Sequence, residues 1–305
     1  MFVVALIGVT LGAATRSGAQ GAPGIVLRLP AATRQMAEAG SGAMASAGEA
    51  LFVNPALGAC SVGASASLQR WLERSTLGAL SAAIPMGDGR LLGAARVLDY
   101  GSIDEVVPDP ATGGQDGRAT GDHLSAREVA WTGGYAIAIH SFAIGASATY
   151  VQQAVADATA SGVTSDVGVT WHAPHGWALA LAAQQLGGRL AGDLRSQPFA
   201  SALRASAQAP TVRHDHLSLD AAVEILGAER APGTASLALE GRWQSPSMLT
   251  VVARAGARAG ASSALQQPFA AGLALESPTL GLEWAVQPLR DGLGLSHRLG
   301  LRWTR

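Results

Sequence analysis

The sequence predicts an all-β fold: a transmembrane antiparallel β-barrel of about 14 strands, with an N-terminal plug segment in its lumen. Three observations predict it. Apolar and polar residues alternate with period two along most of the chain, which is the signature of strands with two unlike faces. Charged residues make up only 14%, well short of the roughly 25% that covers a soluble domain, while 48% are hydrophobic. The connections alternate between long and short, as they do in an outer-membrane barrel.

The first element is "MFVVALIGVTLGAATRSGAQ". Its apolar run from Phe2 to Ala14 falls short of the roughly 20 residues a spanning helix needs but has the length of a signal-peptide core. Ser17 and Ala19 are small residues placed for a cut before Gln20, so residues 1–19 are expected to be a signal peptide. Residues 20–57 form the second element, rich in small residues and without period-two order; Ala and Glu favour a short helix around 31–39. Such a tail has no core of its own and needs cover, which a barrel lumen provides. In "NPA" (Asn54, Pro55, Ala56), Pro fixes a turn and Asn bonds to nearby backbone, a structural motif that would anchor the segment where it joins the first strand.

Residues 58–305 form the barrel. The alternation places strands at roughly 58–67, 76–85, 89–101, 126–139, 142–151, 164–172, 176–186, 197–206, 212–225, 232–243, 247–258, 267–276, 279–287 and 293–304. About ten residues each suits a tilted spanning strand, and an even number suits closure. In the last strand, "LGLSHRLGLRWTR", the odd positions from 293 to 303 are Leu or Trp apart from His297. A bilayer offers no water to unpaired backbone groups, so the sheet has to close, with the last strand on the first. The apolar face then meets lipid, and the same parity turns Glu224, Glu240, Arg254, Arg258, Glu283, Arg298 and Arg302 toward the lumen. Arginine on the lipid side would cost about 2 to 4 kcal/mol near the midplane.

Little in the sequence calls for catalysis. Lysine is absent and the net charge is -1, so no basic field exists for nucleic acid. Cys60 is the single cysteine, which excludes an internal disulfide and a cysteine metal cluster. "RHDHLSLD" would place His214, His216 and Asp220 on one face of a strand, where a metal could bind, but a polar rim is the better reading. His172 and His175 flank a turn, and His140 and Ser141 would point to opposite faces. The acids of the 102–125 loop do not follow a calcium-loop spacing. "GSGAMASAG" lacks the preceding strand and following Lys of a phosphate loop. The expectation is therefore a non-enzyme with no cofactor and no metal, in the outer membrane of a Gram-negative-type bacterium, with membrane lipid as its partner.

"LRLPAATRQMAEAGSGAMASAGEALFVNPALGA" resembles the N-terminal signature of the PorV/PorQ family of outer-membrane barrels, related to FadL-like transporters. The likeness continues through "LSAREVAWTGGYAIAI" and "SDVGVTWHAPHGWALALAAQQLGG" and weakly through "GLEWAVQPL". It implies a fourteen-stranded barrel with its N-terminal segment in the lumen, assisting type IX-like secretion or surface attachment of exported proteins. Secretion machinery or exported cargo would then be partners. The alternative is a FadL-like conduit for hydrophobic small molecules; it needs an apolar pocket inside, which the charged lumen face argues against.

Overall fold

The computed structural model describes residues 23–70, 74–113, 115–229, 231–246, 248–260 and 267–304. The expected signal peptide lies outside these residues. Among the described residues, fourteen strands close into one antiparallel barrel. They are β1 (Gly63–Arg70), β2 (Thr76–Met86), β3 (Gly89–Pro108), β4 (Gly117–Ile139), β5 (Phe142–Val155), β6 (Ala158–His172), β7 (Ala178–Leu186), β8 (Ala202–Gln208), β9 (Leu217–Ala228), β10 (Ala231–Gln244), β11 (Thr250–Gly260), β12 (Phe269–Glu276), β13 (Leu280–Pro288) and β14 (Leu295–Thr304). No helix among the described residues is long and apolar enough to cross a membrane.

Closure occurs where period two requires it. β14 pairs with β1 from Gly63↔Thr304 to Arg70↔His297, which leaves neither strand an open edge. Along β14 the parity is strict at mid-strand: Leu299 is 59% exposed on the outside while Arg298 is 0% exposed on the inside. Leu237, Leu239, Leu273 and Leu282 likewise face outward, while Ala238, Ala274 and Glu283 are buried. Fully burying an exposed leucine in hydrocarbon contributes about 1.5 to 3 kcal/mol, so an outer surface of this kind suits lipid better than water.

Several boundaries differ from the sequence expectation. β1 starts at Gly63, because Pro55–Cys60 forms a 3-10 turn that Asn54 initiates. The 102–125 loop is largely a ribbon: β3 has 20 residues and β4 has 23, about twice the 9 to 11 that spanning takes. It extends beyond both neighbours, since β2 pairs only as far as Asp99 and β5 only as far as Ala126. The expected long connection after Val151 shrinks to a turn between β5 and β6, with Ala156 left-handed at φ 49°. β9 begins five residues later than expected. Residues Val212–His214 continue the line of β8 past Pro210 and pair with the start of β9, and the turn falls at Asp215, where φ is 50°. This overturns the placement of His214, His216 and Asp220 on one strand face, because Asp215 and His216 form the turn and Asp220 lies on the strand that follows it.

Candidate functional site

The segment before β1 lies against the inward faces of the strands. It comprises α1 (Ile25–Arg28), α2 (Thr33–Ala37) and two 3-10 turns, Ala47–Phe52 and Pro55–Cys60. The wall makes room for it with small residues. A side chain at Gly256 of β11 would put its Cβ 2.5 Å from the Glu38 Cα, and one at Gly168 of β6 would sit 2.8 Å from the Asn54 carboxamide carbon. Asn54 is buried. Its Oδ1 accepts from the Ala56 N–H at 3.0 Å, and its Nδ2 donates to the Val169 and Leu181 carbonyls at 3.5 and 3.4 Å. One side chain thus starts the 3-10 turn and ties it to β6 and β7.

Through the middle of the lumen and toward the short-turn end the contacts are ionic. Glu240 sits among three guanidiniums: Arg34 of α2 at 3.0 Å, Arg254 at 2.6 Å and Arg242 at 2.6 Å. Arg254 also reaches Glu283 at 3.0 Å and Glu276 at 3.4 Å, while Arg302 pairs with Glu276 and with Glu283 at 3.3 Å. Among the described residues four arginines therefore share three carboxylates. Mutual pairing offsets a desolvation cost of several kcal/mol per ion, so losing any single member would be expensive. Glu224 pairs with Arg204 and accepts from the Gly42 N–H at 3.0 Å. Arg298 donates to the Ala31 and Pro30 carbonyls, to Ser67 at 2.9 Å and to Gln69. Arg258 is half-buried beside Gly40. At the end of α2, Glu38 lies 4.0 Å from the Arg34 Nε. It is fully buried, and neither of its carboxyl oxygens accepts a hydrogen bond. Burial pushes its carboxyl up to about 8, outweighing the pull of Arg34.

The long-loop end of the lumen has a different chemistry. Val26 and Leu27 of α1 meet Leu77, Leu98, Ala130 and Val151 of the wall. Leu190 and Phe199 of the β7–β8 connection complete this buried apolar cluster. Polar groups touch it at two points: the Val26 N–H donates to Glu128 at 2.9 Å, and Arg96 donates to the Leu27 carbonyl at 3.3 Å. The sequence reading missed this cluster, because Val26 and Leu27 lie in the segment without period-two order and Leu190 in a connection between strands, so no local pattern joins them. It also missed Arg34, Arg242, Glu276 and Arg204, whose partners are set by register around the barrel.

The histidines form no site. His214 lies 3.6 Å from Asp215 on an exposed turn, and His172 and His175 are exposed. His140 occupies a turn at φ 55°. Among the described residues no group of three or more metal-ligating side chains occurs.

No family model matches the sequence, and no curated protein matches it. Solved structures do share its fold. The Ralstonia pickettii toluene transporter TbuX superposes with a TM-score of 0.54 at 11% identity, over 92% of this chain and 100% of that one. The Pseudomonas putida toluene transporter TodX gives 0.57 at 11% identity, over 90% and 96%. A Pseudomonas aeruginosa FadL homologue gives 0.50 at 14% identity, over 90% and 98%. At such identities the likeness is one of fold: the chain is a closed fourteen-stranded barrel of the architecture that these transporters have.

Proposed function

We propose that the protein is an outer-membrane conduit for hydrophobic small molecules, with residues 23–62 acting as a plug in its lumen. The observation that carries this reading is the apolar cluster at the long-loop end, where Val26, Leu27, Leu190 and Phe199 pack with Leu77, Leu98 and Val151. A lumen made for ions or sugars would gain nothing from burying these side chains, whereas an apolar solute could exchange with α1 at little cost in transfer energy. The fold likeness to toluene transporters supports the same reading. The outward leucines imply outer-membrane lipid as the partner. Neither the lumen nor the comparisons supply a feature that favours secretion or surface attachment over this reading, and transporter-like neighbours fit a non-enzyme.

The test is uptake of toluene and of a longer alkane by cells with a lipopolysaccharide outer membrane, with and without the expressed protein. Faster entry of either with the protein is expected. Equal entry in both strains at matched barrel expression would remove the proposal.

A further inference from the structure

We propose that Glu38 is a proton-binding latch: the N-terminal segment seats in the lumen with this carboxyl neutral, and its ionisation favours release. This regulation rests on the conduit reading above. Glu38 closes α2, and its backbone lies directly on Gly256 of β11, so it sits at one of the points where the segment presses on the wall. Its side chain faces a space of about 10 Å³ lined by the segment's own residues, among them Arg34, Gln35, Ser41 and Glu49; that is scarcely room for one water.

Arg34 faces Glu38 with an Nε that has no hydrogen-bond partner; the other charged neighbours are engaged elsewhere. Arg34, on the same helix, holds its Nε 4.0 Å from Glu38 but directs its Nη2 to Glu240 at 3.0 Å. Arg254 of β11 is divided among Glu240, Glu276 and Glu283. Glu276 of β12, Glu283 of β13 and Arg302 of β14 pair with one another, and Arg298 of β14 is held by the Ala31 and Pro30 carbonyls. Glu49, from the first 3-10 turn, is a second buried acid in the same space. Placing a negative charge at Glu38 therefore meets full desolvation that the 4.0 Å contact with Arg34 offsets only in part.

The direction with pH follows. The carboxyl titrates near 4.5 when free and near 8 when seated. Below the lower value it is neutral in both states and seating carries no penalty. Between the two values it ionises only on release, so seating weakens steadily as pH rises, and above the upper value the full penalty applies. Acid tightens the plug and alkali loosens it.

The experiment measures hydrogen exchange of residues 31–45 in lipid nanodiscs, corrected for intrinsic rates, together with single-channel conductance, for wild type and Glu38→Gln. From pH 6 to pH 8 the wild-type opening equilibrium is expected to rise by roughly tenfold or more, and E38Q is expected to rise clearly less, the remainder belonging to Glu49, whose carboxyl burial also raises. A wild-type segment equally protected at both pH values overturns the latch without recourse to any variant. An equal slope in E38Q overturns it too. A pH-sensitive segment in a protein that fails the uptake test leaves the latch standing and removes the conduit.

Discussion

Gly256→Ala tests whether the N-terminal segment is seated as described. The added methyl carbon would lie 2.5 Å from the Glu38 Cα, far inside ordinary contact distance, and the obstacle is backbone that cannot rotate away. Relief requires the segment to lift from β11, which would stretch the Arg34–Glu240 pair now at 3.0 Å. Overpacking of this kind costs about 1 to 3 kcal/mol, which at tenfold per 1.4 kcal/mol shifts the seated equilibrium by roughly 5- to 100-fold. Gly241→Ala is the control, because a methyl group there meets nothing within 4 Å. The assay is hydrogen exchange across 31–45, with heat-modified gel mobility confirming that the barrel is intact. Wild-type protection of the segment in G256A, with the barrel folded, would refute the seating argument.

Asn54→Ala removes the side-chain acceptor of Ala56 and two wall contacts; a loss of about 1 to 2 kcal/mol is expected, visible as faster exchange in residues 47–62. Leu299→Arg places a charge on the lipid face at mid-strand, where Leu299 is now 59% exposed; unfolding from lipid vesicles in urea should fall by about 2 to 4 kcal/mol. Phe199→Asp puts a carboxylate into the apolar cluster, and toluene uptake should drop several-fold at equal barrel abundance.

The barrel was legible because its rule is local: alternation at Leu237, Leu239 and Trp243, or at Arg298 and Arg302, needs only neighbouring residues and a bilayer. The inward faces of Glu224, Glu240, Arg254 and Glu283 follow from the same parity, and the structure places all four in buried positions. What could not be read depends on distances around the cylinder. That Arg34 would meet Glu240, 206 residues away, is a matter of where the segment enters and how it winds. The same limit hid the apolar cluster, which led the charged lumen face to weigh against a hydrophobic conduit. The turn at Asp215 was misplaced because Pro210 gave the stronger local turn signal, while tertiary pairing of Val212 with Leu219 extended the hairpin beyond it.

The Ala31 carbonyl receives hydrogen bonds from Ser67 of β1 and from Arg298 of β14, the two strands that meet at the closure. The tail therefore braces the seam from within, and the order of assembly follows from that. Strands whose partners at the seam are more than two hundred residues apart, such as Gln69 and Ser296, zip last. A tail already inside by then adds the Ala31 and Pro30 carbonyls to the Ser67 and Gln69 acceptors of the same guanidinium. A chain that closes in this order carries its own mandrel, around which the final joint is drawn shut.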